Sequence, residues 1–304
     1  MRVGALALVL LLGLAAAAGI MVLSHSGAED RGRDAAHTRR PASGETHAGE
    51  LRISRDFGAQ TLLAREVVLS QPATVMSVLA DNAEVETAYG GGFVNAIDGL
   101  ASGFTAGGGV QADWFYYVNG MQADRGATDY ELSNRDRVWW DYHRWDQAPV
   151  MSAVVGQYPQ PFLSGAGRDL PTVVQFSDGF SEDADAIVSA LKAEGVARVS
   201  AASLDPVSAT SGKRHVILVG TQDALGAVRA AAGVADVAAG GAIIAIASAQ
   251  APDAAIWLVT GFRPEDVRRA ANLLRDGAPR LQGRFGIAVD ASGVVAASPN
   301  GVSR

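Results

Sequence analysis

Hydrophobic side chains alternate between two faces in the most aromatic segment of the chain. Trp114 and Tyr116 point to one face of a strand with period two, and Tyr117 points to the other. Asn119-Gly120 follows, a pair that favours the positive φ values of a two-residue hairpin. A second aromatic run, Arg137–Trp145, has the same density, and four of the five Trp residues lie between 114 and 145. Because each large ring buries much area, the pattern predicts a small sheet in a binding or scaffolding module.

The first 23 residues contain an uninterrupted apolar run, from Gly4 to Leu23. A run of this length can cross a bilayer as a helix. The alternative is a cleaved signal peptide with its exit site at Ala16–Ala18. We expect the uncleaved signal anchor, because apolar residues continue to Leu23. Either interpretation places the rest of the chain outside the cytoplasm.

Residues 24–50 lack apolar periodicity and mix Ser, Gly, Pro and charged residues. This composition predicts a disordered linker. From Leu51 the pattern changes: Leu51–Ser54 and Ala64–Leu69 predict two strands around a turn. A helix is predicted at Val75–Leu79, ending near Asp81.

Strands and helices alternate in the part of the chain from residue 148 to residue 304. The predicted strands are 172–176, 196–200, 215–220, 242–247, 256–260 and 284–289, and the predicted helices are 181–194, 223–232 and 264–275. This alternation predicts an α/β sandwich with a mostly parallel sheet. The strand His215–Gly220 is almost entirely apolar, which is typical of a strand buried on both faces.

Composition narrows the classes of partner. The chain of 304 residues is long enough for two domains. It has 32 acidic and 25 basic residues and no long basic stripe, so nucleic acid is not an expected partner. With no cysteine there is no disulfide, thiolate metal site, cysteine nucleophile or lipid-modified cysteine. Any membrane tether is therefore a peptide segment. High Ala and Gly content, with Lys192 and Lys213 as the only lysines, suggests a bacterial source.

The order of these features resembles the transcobalamin-like domain of unknown function, the DUF4430 type, found in extracytoplasmic bacterial proteins. It is also similar to the C-terminal domain of animal cobalamin carriers, a β-grasp-like unit. The features that match are Val75–Leu79, Asn95–Gly99, Trp114–Gly120, Gly126, Tyr130–Leu132 and Asp136–Tyr142. The resemblance covers residues 51–146, and Asn134-Arg135-Asp136 departs from the family's usual Gly-Asp turn.

The resemblance implies an α+β, β-grasp-like domain at 51–147. The residue pattern places this domain behind the N-terminal transmembrane or signal segment and before the α/β sandwich domain at 148–304. It also implies a ligand surface of loops and aromatic edges at one end of the sheet. If a corrinoid such as cobalamin is the ligand, its apolar face suits ring contacts. The candidate ligand-binding residues are Trp114, Tyr116, Asn119, Trp139 and Tyr142. The alternative is that these rings form the core of a small sheet.

Catalytic and metal-binding patterns are absent from the sequence. It contains neither a Gly-x-Ser-x-Gly elbow nor a His-x-x-x-His spacing. His143 follows Asp141 by two residues on the same side of a strand, where the two side chains could pair. A cleft grouping His215 with acids would instead favour an enzyme. We expect no enzyme, no metal site and no required cofactor.

These observations lead to a functional hypothesis with one alternative. The chain is expected to be a membrane-anchored extracytoplasmic ligand-binding protein that presents a small molecule to an uptake system, with a transporter component as partner and cobalamin as a candidate ligand. The alternative is a cell-envelope interaction or scaffold protein without a small-molecule ligand.

Overall fold

The computed structural model describes residues 47–103, 111–146, 151–237, 240–293 and 295–297. Within these ranges the fold is mixed α/β and rich in sheet. In chain order the elements are β1 (His47–Arg55), β2 (Gln60–Leu69), α1 (Val75–Ala80), β3 (Val85–Ala88), a 3-10 turn (Tyr89–Gly91), β4 (Phe93–Ile97), β5 (Leu100–Ala101), β6 (Ala112–Val118), β7 (Met121–Gln122), β8 (Arg137–Arg144), β9 (Thr172–Phe176), α2 (Ser181–Ala193), β10 (Val199–Ser203), α3 (Pro206–Ala209), β11 (His215–Thr221), α4 (Gly226–Ala231), β12 (Gly241–Ser248), β13 (Ala251–Gly261), α5 (Pro264–Arg275), α6 (Ala278–Leu281), β14 (Ile287–Val289) and β15 (Val295–Ala297).

The predicted N-terminal segments lie largely outside the described residues. The signal anchor or signal peptide at 1–23 and the linker up to residue 46 therefore stay predictions. Among the helices of the described ranges, none is both long and apolar enough to cross a membrane. Strand β1 begins at His47, inside the predicted linker, because His47–Glu50 pairs with Glu66–Leu69 in an antiparallel ladder.

The N-terminal sheet has the strand order β2-β1-β8-β6-β7. β1 is antiparallel to β2 and parallel to β8, and β6 lies antiparallel to β8. Thr74 caps α1, because its hydroxyl accepts the N–H of Ser77 while the Ser77 hydroxyl accepts the N–H of Thr74. Asn119 and Gly120 have φ values of 51° and 82°, as a two-residue hairpin turn requires. The predicted hairpins and helix are confirmed.

One face of the N-terminal sheet packs against α1. The buried residues shared by helix and sheet are Val75, Val78, Leu79, Leu51, Ile53, Trp114, Val118, Val138 and Trp140. A small sheet, β3-β4-β5, adds Val94 and Ile97 to this core. The aromatic strands therefore bury their rings as the periodicity predicts.

The second sheet has seven strands in the order β10-β9-β11-β13-β12-β14-β15. The strands β10, β9, β11 and β13 are parallel, whereas β12, β14 and β15 add antiparallel pairs. The sheet is therefore mixed: the predicted parallel arrangement holds for β10, β9, β11 and β13 but not for the rest of the sheet. The reason is the two-residue connection between β12 and β13, which can join only antiparallel neighbours.

Helices cover both faces of the seven-stranded sheet. α2 and α5 share a core with Ile217, Val219 and Trp257. On the other face, α3 and α4 share a core with Val216 and Leu218. β11 is buried on both faces, as predicted. α3, α6 and β15 are short elements that the sequence pattern did not indicate, and β10 begins at Val199 rather than at residue 196.

The segment 151–162, here called the connector, joins the two sheets and is buried at every position except Ser152. Towards the N-terminal sheet, the backbone N–H of Gln122 donates to the Ser152 carbonyl at 3.0 Å, and the N–H of Val154 donates to the Gly120 carbonyl at 2.8 Å. Towards the other sheet, the N–H of Ala247 donates to the Ser152 hydroxyl at 2.9 Å. The connector thus satisfies backbone groups on both sides while staying out of water.

A second junction is aromatic. Phe285, which precedes β14, lies against four rings on the face of the N-terminal sheet opposite α1. The ring centroids of Phe57, Tyr117, Trp139 and His143 are 5.6, 5.3, 5.0 and 5.6 Å from that of Phe285. All four contacts are edge-on, a favoured geometry for aromatic pairs. Phe285 therefore closes the second face of the aromatic sheet.

We predict that Phe285→Ala lowers the free energy of unfolding by about 3–5 kcal/mol, because it opens a cavity among four rings. Phe262 is the matched control, since it is 61% exposed, and Phe262→Ala is expected to stay within about 0.5 kcal/mol of wild type. Chemical denaturation of the three proteins measures both effects. Equal losses in the two variants would contradict the assignment of Phe285 to the junction.

Candidate functional site

The five predicted ligand residues do not lie together. Trp114, Tyr116 and Tyr142 lie on the face of the N-terminal sheet that packs on α1, with the rings of Trp114 and Tyr142 centred 5.3 Å apart. Trp114 is buried, and its Nε1–H donates to the carbonyl of Leu100 at 2.9 Å. Tyr116 and Tyr142 are partly exposed. Ring contacts to a ligand stay a prediction for these two tyrosines.

Trp139 and Asn119 have structural partners instead. Trp139 is 0% exposed and lies on the opposite face, where its Nε1–H donates to Ser54 Oγ at 2.7 Å. The Asn119 side chain donates to Asp136 Oδ1 and to the Gly165 carbonyl, both at 2.7 Å, and accepts the N–H of Arg137. Neither side chain presents a free surface, so packing and turn formation account for both residues.

Asp141 and His143 form the pair that their spacing suggested, with Nδ1 and Oδ1 2.8 Å apart. Asp141 is fully buried and accepts three further hydrogen bonds, from Ser54 Oγ and from the N–H groups of Phe57 and Gly58. Such full satisfaction is what a buried carboxylate requires. The His143 ring is stacked between Phe57 and Phe115, at 4.5 and 4.4 Å. This network fixes the β1–β2 turn against the sheet.

The β1–β2 turn also contacts the segment that precedes β14 of the second sheet. Gly58 has a φ of 79°, and a Cβ there would collide with the carbonyl oxygen of Gly283. Only glycine combines this backbone conformation with so close an approach. The turn and Phe285 thus hold the two parts of the described chain in direct contact.

A cleft of about 380 Å³ opens elsewhere along this junction. One wall comes from β7 and the loop that follows it, and the other comes from segments beside the seven-stranded sheet. The lining residues are Met121, Gln122, Ala123, Asp124, Arg125, Tyr130, Ala166, Gly167, Arg168, Pro252 and Asp253. We call it the junction cleft. Its volume falls within the range of small-molecule sites.

Two arginines dominate the electrostatics of the junction cleft. Arg125 pairs with Asp124 at 3.2 Å, and its guanidinium carbon lies 5.0 Å from the centroid of the Tyr130 ring. Arg168 makes a two-point ion pair with Asp253, which holds the pKa of that carboxyl below its usual range. Burial raises the pKa of Tyr130 to about 12, so its hydroxyl remains a hydrogen-bond donor at neutral pH.

His215 lies near the Arg168–Asp253 pair but does not line the junction cleft. It is 0% exposed, and its Nδ1 accepts the N–H of Ala255 at 3.1 Å. Burial lowers its pKa to about 4, so the ring is neutral at pH 7. The described residues therefore do not group an accessible His215 with acids, and the expectation that the chain is not an enzyme stays a prediction.

Within the described ranges, no group of three or more His, Asp or Glu side chains is placed to hold a metal ion. Arg125, Arg168 and Asp253 were not among the ligand residues predicted from the sequence. They stand in segments without a motif and meet only because of the long-range folding of the chain. No local signal in the sequence identifies them.

One segment of the chain matches the sequence model of a known family. Residues 73–144 match the sequence model described as Domain of unknown function (DUF4430). The resemblance stated from the sequence is thereby confirmed for this part of the chain, which supplies the wall of the junction cleft that contains Arg125 and Tyr130. No curated protein matches the chain significantly.

Two solved structures resemble part of the fold. One is haptocorrin in complex with Cbi, at 15% identity and a TM-score of 0.27, over 33% of this chain and 26% of haptocorrin. The other is a protein of Ruminococcus gnavus ATCC 29149, provisionally described as metal-binding, at 16% identity and a TM-score of 0.25, over 32% of this chain and 96% of that one.

We predict that acid destabilises this protein through His215. Its pKa is about 4 when folded, against an ordinary 6.5, so the unfolded chain binds more protons and stability falls as the pH drops from about 6.5 to about 4. The loss amounts to about 3 kcal/mol. His215→Asn keeps an acceptor for the Ala255 N–H and removes the titration. The difference between wild-type and variant unfolding free energies, measured against pH, isolates this effect, and parallel curves would contradict it.

Proposed function

We propose that this protein is an extracytoplasmic ligand-binding protein whose small-molecule site is the junction cleft. The observation that carries the proposal is the cleft itself, because it has the volume of a small-molecule site and its walls come from two distant parts of the chain. The DUF4430 segment contributes one wall. Tyr116 supports that wall from behind, since its hydroxyl donates to the carbonyl of Arg125.

The strand order supports the domain assignment on which the proposal builds. A sheet with the order β2-β1-β8-β6-β7, a parallel central pair and one helix across a single face suits a β-grasp-like domain. Helices on both faces of the seven-stranded sheet suit an α/β sandwich. We assign the β-grasp-like domain to 51–147, extended at its start to His47 by β1, and the α/β sandwich domain to 148–304.

A corrinoid is the candidate ligand that the family resemblance implies. A whole corrinoid exceeds the volume of the junction cleft, so one edge of the molecule would enter it while the rest stays outside. Tyr130, whose ring lies in the cleft wall, then supplies an aromatic contact to the ligand. No cofactor is needed for this role.

Membrane attachment belongs to the same proposal. The apolar run Gly4–Leu23 is long enough to anchor the chain. An anchored binding protein would hand its ligand to an uptake system, with a transporter component as its partner.

One observation favours the alternative, an envelope interaction protein. Strand β2 forms an edge of the N-terminal sheet, and its Leu62 and Val68 side chains are 44% and 65% exposed. An exposed edge strand with apolar side chains can pair with another chain.

We predict that a bound ligand raises thermal stability and that filling the cleft abolishes the effect. Cyanocobalamin and a library of small metabolites are the probes, and a ligand at about one hundred times Kd adds about 2.7 kcal/mol. Ala123→Trp, which fills the cleft, is expected to weaken binding at least about tenfold. Ala224→Trp, at an exposed position away from the cleft, is the control.

Thermal-shift and calorimetric titrations check this prediction. Absence of any effect from cyanocobalamin would remove the corrinoid part. Absence of an effect from every probe, or equal affinities in the two tryptophan variants, would contradict the site and favour the envelope interaction protein.

A further inference from the structure

The junction cleft is electrically balanced on both walls. Asp124 and Arg125 stand on one wall, and Arg168 and Asp253 stand on the other. Each carboxylate is paired with the guanidinium on its own wall. The two pairs cancel in net charge, yet each offers an acceptor beside a donor, because a carboxylate only accepts hydrogen bonds and a guanidinium only donates them.

We infer that the junction cleft selects an uncharged ligand that carries carboxamide groups, one for each carboxylate–guanidinium pair. A carboxamide has N–H donors and a carbonyl acceptor side by side, so it complements such a pair without breaking it. The inference rests on the proposed function, since it takes the cleft as the ligand site and adds the chemical class of the ligand.

Charged ligands meet a penalty in this cleft. An anion that binds Arg168 competes with Asp253, whose side chain is only 23% exposed, and leaves that carboxylate without its partner. A cation at Asp253 displaces Arg168, whose side chain is 50% exposed, so water solvates the freed guanidinium in part and this penalty is smaller. Removing one member of such a pair costs more than the new contact supplies when the remaining charge is shielded from water.

The remaining lining agrees with a neutral ligand. Met121, Ala123, Ala166 and Pro252 are apolar, and Tyr130 adds an uncharged aromatic side chain. An uncharged peptide-like molecule can therefore place apolar groups on these side chains and its amides on the two ion pairs.

Three peptides of nearly equal size test the inference. N-acetyl-dialaninamide is neutral, N-acetyl-dialanine carries one negative charge, and dialaninamide carries one positive charge. Isothermal titration of the full chain is expected to give an affinity for the neutral peptide about tenfold higher than for either ion. The neutral affinity is expected to change less than about twofold between about 20 mM and about 500 mM salt, since no net charge is neutralised.

Asp253→Asn provides the second arm of the test. This variant frees Arg168, so the anionic peptide is expected to become the preferred one, with a salt-dependent affinity. Asp185→Asn on α2, where the side chain is exposed and remote from the cleft lining, is the matched control and is expected to keep the wild-type order.

The outcomes separate the two proposals. Preference of the wild-type protein for either ion, or an unchanged order in Asp253→Asn, overturns the inference. A further outcome also overturns the inference: the neutral peptide does not bind, although another probe binds the wild-type protein and Ala123→Trp blocks that binding. The proposed function stands in that case. Absence of all cleft-dependent binding removes the proposed function itself.

Discussion

Hydrogen bonds around one hairpin turn hold the connector between the two sheets in place. Gly120 donates its N–H to Gln157 in the connector, and the Gln157 amide donates back to the carbonyl of Arg137. The Arg137 side chain in turn donates to the carbonyls of Gln157 and Tyr158. The Gly120–Gln157 bond is buried and the other three are partly buried, so a group left without its partner would cost free energy. The turn is thus both the end of a hairpin and the place where the N-terminal sheet holds the connector.

This constraint explains why the aromatic strands are aromatic on both faces. A sheet with one face in water needs apolar side chains on alternate positions only. Here Trp140 faces the α1 core, while Trp139 faces Phe285 and the connector. Both faces of the β6–β8 pair are covered, so adjacent positions are large and buried. The high aromatic content of this segment reflects packing on both faces, against α1 on one and against Phe285 and the connector on the other.

Much of the fold was predictable from local pattern. Period-two alternation, the Asn119-Gly120 turn and the apolar strand His215–Gly220 each depend on neighbouring residues alone, and the structure confirms them. The same alternation already separates Trp139 from Tyr142, which differ by an odd number of positions and so cannot share a face. The mixed direction of the second sheet and the junction cleft were not predictable. Both depend on which distant segments meet, and Arg125, Arg168 and Asp253 carry no local signal of that meeting.

The single ring of Phe285 has a consequence for how this molecule is put together in evolution. Phe285 fills a gap between aromatic rings on strands that precede it in the sequence by more than a hundred positions. If the first sheet were transferred to another protein without Phe285, the indole and phenol rings that it covers would be exposed to water. An unrelated protein that carried this sheet would have to cover the same rings with an apolar side chain of its own.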